Sequence, residues 1–230
     1  MKFTSVKRFV PFSLFIVYVS VLFALFFAGG KKYVAVTPPA KYNIVIDAGH
    51  GGIDGGVTGV KTKVRESDVN LAIAKKLERL LSGSGFNVVM TRTGSGGLYG
   101  VLSSGFKKRD MQKRKQIIQN CNPKAVISVH LNSCGESGRR GAMIYYSDVG
   151  DENFSLARAV CDRFNLSEKK ARACVAVPGD YFILNVSPCP AVICECGFLS
   201  NAEDEALLLT DEYREYIAET IFCGVMDFLI

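Results

Sequence analysis

Histidine is nearly missing from this 230-residue chain, and tryptophan is wholly missing. His50 and His130 are the two histidines. That scarcity excludes a three-histidine metal site, and no His-Glu-x-x-His pattern occurs either. Acid is lacking from residues 1–32, which nevertheless hold five of the 28 Lys and Arg residues. The remainder carries 23 basic side chains against 22 acidic ones, so five of the six net positive charges belong to the amino end. A domain in near charge balance has no basic stripe for nucleic acid, and no nucleic-acid partner is expected. A disulfide framework is also lacking. The eight cysteines show no compact spacing, and Cys194 and Cys196 sit in an apolar run where cysteine behaves as a small hydrophobe. The spacing argues against a disulfide scaffold and does not fix the redox state of the individual cysteines. There is no internal repeat and no second-domain boundary.

What is present begins with an apolar run. Phe9 to Ala28 is 20 residues without a charge. As a helix it matches the ~30 Å hydrocarbon core of a bilayer. Lys2, Lys7 and Arg8 precede it and Lys31 and Lys32 follow. The leading charges favour an amino end in the cytoplasm and export of the rest. The run exceeds the roughly 7–15 apolar residues of a cleaved signal peptide, and Ala24 and Ala28 do not form an A-x-A site. Length favours an uncleaved signal anchor. Cleavage, giving a secreted protein, is the alternative. The expected organisation is an anchor at 1–32, a linker at 33–41 with Pro38 and Pro39, and one domain at 42–230.

The domain alternates strand-like and helix-like segments. Strands are expected at Tyr42–Asp47, Phe86–Met90, Ala125–His130, Ala142–Tyr146, Tyr181–Leu184 and Ala191–Cys196. Helices are expected at Ser67–Leu81 with Ser67 as N-cap, Lys108–Asn120, Glu152–Asn165 and Tyr213–Phe228, with a loop at 94–107. Such alternation predicts an α/β fold. It would be a single three-layer αβα domain with a mostly parallel, roughly six-stranded sheet and helices on both faces, preceded by the transmembrane helix.

In such sheets, ligands lie beyond the carboxyl ends of the strands. Both histidines fall there, His50 in IVIDAGHGGIDGG and His130 at the end of AVISVH. Glycines around His50 permit a tight turn, and Asp47 is placed to bond a ring nitrogen or a nearby amide. Two imidazoles suit Zn²⁺, which takes three protein ligands in catalytic sites. With no third histidine, the third ligand is a carboxylate, and Glu66 is the candidate. A helix-start acid facing the dipole is the plainer reading of Glu66. Glu195 stands alone in the apolar run AVICEC. Burial there raises its pKa toward the range of a general base, with Cys194 and Cys196 on the opposite strand face. A salt-bridged structural glutamate is its plainer reading.

DAGHGGIDGG, RESDVNLAIA, SVHLNS and PAVICECGFLSN, in that order, resemble the four blocks of the zinc-dependent N-acetylmuramoyl-L-alanine amidases called amidase-3. The resemblance runs from about Tyr42 to the carboxyl end. It implies one Zn²⁺ on His50, Glu66 and His130, with Glu195 catalytic and peptidoglycan as substrate. The reaction implied is cleavage of the amide between N-acetylmuramic acid and L-alanine. Asp47, Asn70, Arg92 and Asn132 are secondary candidates for binding or supporting roles. Arg109 and Arg114, in a basic run, read first as a solvated helix face. The 94–107 insertion, the anchor and the overall size are similar to the sporulation-specific members. These trim muramic acid for muramic-δ-lactam formation in the spore cortex. That implies a membrane-anchored enzyme in the cell envelope, in the intermembrane space of the developing spore, and an accessory activating protein. A vegetative autolysin, a hydrolase of another amide and a non-catalytic peptidoglycan-binding protein are the alternatives. Ala48 stands where the family often has proline.

Overall fold

The computed structural model describes residues 42–166 and 172–230. The expected membrane segment at residues 9–28 and the linker at 33–41 lie outside the described residues. Among the described residues, no helix is long and apolar enough to cross a membrane.

Six strands form one sheet. They are β1 (Asn43–Ala48), β2 (Asn87–Met90), β3 (Ala125–Asn132), β4 (Met143–Tyr146), β5 (Val175–Pro178) and β6 (Ala191–Phe198). The helices are α1 (Glu66–Gly83), α2 (Phe106–Cys121), α3 (Asp151–Leu166), α4 (Phe182–Val186), α5 (Ala202–Leu208) and α6 (Asp211–Leu229). Strand order is β2-β1-β3-β6-β4-β5. Every neighbouring pair is parallel except β4 with β6, so the sheet is mixed.

Side chains alternate across each strand, and this sorts the core into two layers. Ile44, Ile46, Ile127, Val129, Val192 and Cys194 face the larger layer, shared with α1, α3 and α6. Val45, Val126, Ala191 and Ile193 face the smaller one, closed by Ile118 of α2 and by Ile183 and Leu184 of α4. On the smaller face the strands turn polar toward their carboxyl ends. Val45 gives way to Asp47, Val126 to Ser128 and His130, and Ile193 to Glu195. The apolar half anchors the sheet, and the polar half forms the floor of the site. Backbone contact is close where α6 crosses α3: a Cβ on Gly224 would sit 2.5 Å from Val160 Cα.

Four expectations need correction. Tyr181–Leu184 is no strand. Phe182–Val186 closes as a short helical turn, which lays the adjacent Ile183 and Leu184 together against the smaller core layer. Ser67 is not the N-cap of α1. Arg65 holds that position and Glu66 begins the helix, leaving the Ser67 hydroxyl without a partner. The edge strand β5 and the short helix α5 are additions: β5 buries no residue fully and ends in Pro178, and the seven residues of α5 span only two turns. Arg114 lies on no solvated face, with a side chain only 2% exposed.

Candidate active site

Three of the candidate side chains, His50, Glu66 and His130, meet at the carboxyl ends of β1 and β3. His50 follows β1 in a left-handed conformation, φ 60°, which non-glycine residues adopt at a cost of about 1–2 kcal/mol. Two buried arginines hold that turn by its carbonyls. Arg114 donates from Nη1 to Ala48 O at 2.8 Å and from Nη2 to His50 O at 2.6 Å. Arg92 donates from Nε to Ala48 O at 2.8 Å, and from Nη2 to Gly49 O at 2.9 Å and Ser67 O at 2.8 Å. Burial and the neighbouring Arg114 charge bring the Arg92 pKa down to about 10, so it stays cationic at neutral pH. The turn also presses on the second histidine: a Cβ on Gly49 would lie 2.2 Å from His130 Nε2.

Glu66, 2% exposed, sits between the imidazoles. His50 Nε2 is 3.3 Å from its Oε2, and His130 Nδ1 is 3.0 Å from its Oε1. Val57 N donates to Oε2 at 2.9 Å. Leu131 N and Asn70 Nδ2 donate to Oε1, each at 3.1 Å. Burial opposes ionisation of Glu66, but the two imidazoles outweigh it and hold the carboxyl well below the usual range. The rings of His50 and His130 lie edge to face, 5.0 Å apart.

The donor set fits a metal. Asp54 Oδ2 is 3.1 Å from His50 Nδ1. With the Nδ1 proton given to Asp54, the Nε2 lone pair faces a carboxylate oxygen. An acceptor aimed at an acceptor requires a proton or a cation between them. Ligands about 2.0–2.1 Å from a tetrahedral zinc lie about 3.3 Å apart along each edge. Each imidazole nitrogen lies within about such an edge of one Glu66 oxygen, His130 Nδ1 3.0 Å from Oε1 and His50 Nε2 3.3 Å from Oε2. One ligand atom from each of the three residues lies within 4.8 Å of the others. Burial works against a charged His50, yet Glu66 and Asp54 prevail and raise its pKa.

Glu195 lies beside this group, paired in register with His130 across β3 and β6. Its Oε2 is buried without a hydrogen-bond partner. Burial raises its pKa, and Glu66 adds to the rise, while His130 and His50 oppose it. A cavity of about 180 Å³ joins His50, His130 and Glu195, with Tyr181, Phe182 and Ile183 as an apolar wall.

The secondary candidates separate clearly. Asn70 touches Glu66 and also donates to Gly49 O at 3.3 Å. Asp47 does not reach an imidazole. It accepts from Thr91 Oγ1 at 2.7 Å, Ser128 Oγ at 2.7 Å and Arg114 Nη1 at 2.5 Å. Burial opposes its ionisation, but Arg114 and the two hydroxyls prevail and lower its pKa to about 2. Asp47 and Arg114 thus form a buried pair beneath the His50 turn. Asn132 lies at the bulged end of β3, where its own Oδ1 accepts from Ser133 N at 2.8 Å. Arg109 binds the carbonyls of Tyr99, Val101, Ser103 and Ser104 and anchors the 94–107 loop. Asp54 was missed. Its position four residues after His50 was the available signal.

A family model described as N-acetylmuramoyl-L-alanine amidase matches residues 44–227. The chain is 33% identical to the germination-specific N-acetylmuramoyl-L-alanine amidase of Bacillus subtilis (strain 168). That match runs over 188 residues, 80% of this chain and 78% of that protein. Among solved structures, the CwlD amidase of Clostridioides difficile in complex with the GerS lipoprotein superposes with a TM-score of 0.76 at 32% identity. It covers 82% of this chain and 98% of that one. The catalytic domain of CwlV, an N-acetylmuramoyl-L-alanine amidase from Bacillus (Paenibacillus) polymyxa var. colistinus, gives a TM-score of 0.70 at 28% identity. Coverage there is 82% of this chain and 98% of that one.

Proposed function

Because the chain belongs to the Amidase_3 family of N-acetylmuramoyl-L-alanine amidases, we propose that His50, Glu66 and His130 hold one zinc ion. Glu195 then moves the proton as the lactyl amide between muramic acid and L-alanine is hydrolysed. The observation that carries this reading is the buried, unpartnered Glu195 Oε2 next to a His-Glu-His group.

Zinc, when bound, supplies a Lewis acid that polarises the amide carbonyl and acidifies water. The protein does the rest. Asp54 holds the Nδ1 proton of His50 and leaves Nε2 free to ligate. Val57 N, Leu131 N and Asn70 fix the Glu66 carboxylate. Glu195, kept basic by burial, accepts a proton from water at Oε2 and returns it to the leaving alanine nitrogen. Tyr181, Phe182 and Ile183 limit water at the wall opposite the histidines.

The cellular role we propose is spore-cortex maturation, in which stem peptides are removed so that muramic-δ-lactam can form. Similarity to a germination-specific amidase supports it. A lipoprotein-type accessory partner is supported by the solved complex of the similar CwlD amidase. We further assign residues 9–28 as a membrane anchor, with the catalytic domain outside the cytoplasm, on the length and flanking charges of that run.

The test is digestion of purified peptidoglycan by the zinc-loaded protein. New L-alanine amino termini are the expected product. Glu195→Gln should keep zinc but lose about 10²–10⁴-fold in turnover. Full activity in that variant refutes the role of Glu195. Products with other amino termini refute the substrate assignment. Spores of a deletion strain should lack muramic-δ-lactam, and normal lactam content would refute the cortex role.

A further inference from the structure

All eight cysteines are free in this structure, but two of them touch. Cys161 lies on α3 and Cys174 immediately precedes β5, 4% and 5% exposed. Their Sγ atoms are 2.8 Å apart, inside the contact distance of two unbonded sulfurs, which is roughly 3.6 Å. The position is held by a second, independent contact. Asn165 Oδ1 accepts from Cys174 N at 2.8 Å, and Asn165 Nδ2 donates to Cys174 O at 3.0 Å. That amide grips the backbone of Cys174 on both sides. Cys161 and Asn165 are four residues apart on one helix and share a face. The grip therefore sets the Cys174 thiol against the Cys161 thiol.

We propose that Cys161 and Cys174 are joined as a disulfide when this domain folds in an oxidising compartment. Two thiols give up two protons and two electrons, and one S–S bond forms. The oxidant is a small-molecule or protein disulfide. The thiolate of one cysteine attacks it and forms a mixed disulfide. The second thiolate attacks that bond, and the oxidant leaves as two thiols. Burial of both sulfurs places this chemistry before the domain closes, and it shields the finished bond afterwards. Cys196 donates its thiol hydrogen to Cys194 O, 3.3 Å away.

The bond would tie the end of α3 to the start of the edge strand β5. From β5 the chain runs directly into Tyr181 and α4, which form the apolar wall of the active-site cavity. Only the physiological oxidant depends on the exported location proposed above. The test supplies its own.

The full chain is unfolded, then refolded in a buffer of oxidised and reduced glutathione. Remaining thiols are alkylated and the protein is digested without reduction. A linked peptide containing Cys161 and Cys174, about 2 Da lighter than its reduced parts, is the expected result. The oxidised protein should melt about 5–10 °C above the same protein refolded with reductant. Alkylation of both residues, or linkage of either to Cys194, overturns the proposal. Equal melting of the two forms overturns the clamp. No variant is needed, so a folding defect cannot obscure the outcome. Amidase failure with an intact link would leave this bond standing, and the reverse holds equally.

Discussion

Replacing Arg114 by methionine would remove one half of the ion pair beneath the active site while keeping much of its volume. Asp47 is 1% exposed and would remain without its cation, bonded only to Thr91 and Ser128. The magnitude has a lower and an upper bound. Lowering the Asp47 pKa from 3.8 to about 2 corresponds to about 2 kcal/mol of stability at neutral pH. Removing one partner of a buried pair costs about 3–5 kcal/mol. Arg114→Met should therefore lose between about 2 and 5 kcal/mol, measured by urea unfolding of the metal-free protein. The pH dependence carries the sharper test. In the wild type the folded pKa is depressed. The Asp47 contribution is then complete above 3.8 and is lost as pH falls toward 2. In the variant, burial is opposed only by the Thr91 and Ser128 hydroxyls and by His130, so the folded pKa moves up from its wild-type position. Asp47 then adds less stability than in the wild type as pH rises through that range. The wild-type advantage should grow as pH rises from about 2 and level off once Asp47 is ionised in both folded proteins. A difference below about 1 kcal/mol and flat with pH would refute the account of this pair.

Gly49→Ala should abolish activity and weaken zinc binding, because the new Cβ would lie 2.2 Å from the His130 ring. Zinc titration and peptidoglycan turnover check it, and a fully active variant would show that the turn has slack. Asp54→Asn removes the charge that holds the Nδ1 proton of His50. Zinc affinity should fall about 10–100-fold in a chelator competition, with the fold unchanged by circular dichroism. Stripping zinc with a chelator should lower the melting temperature by an amount that grows with the zinc concentration used for loading, as expected for a ligand bound only to the folded state. An unchanged midpoint would argue against the His50-Glu66-His130 site.

Much of the site is legible in the chain's own residue pattern. With only two histidines, a zinc site has to use both and take its third ligand elsewhere. Period-two patterning places Glu195 on the sheet face opposite Cys194 and Cys196, because alternation along a strand is a local property. The long helices are equally legible from their apolar stripes. Two elements are not: α4 is a single five-residue turn and β5 a partly exposed edge strand, and packing decides their form.

Residue pattern alone sets the order of the longer elements, the chemical types at the site and the strand ends that carry the two histidines. Tertiary structure decided the partnerships. Arg114 looked like one charge in a basic helix, yet it lies buried against Asp47, 67 residues away in sequence. Asp47 looked like a histidine's support, and Asp54 holds that place instead. Spacing in a chain cannot show which opposite charge a buried cation will meet. Desolvation forces it to meet one, and only the packed fold determines which.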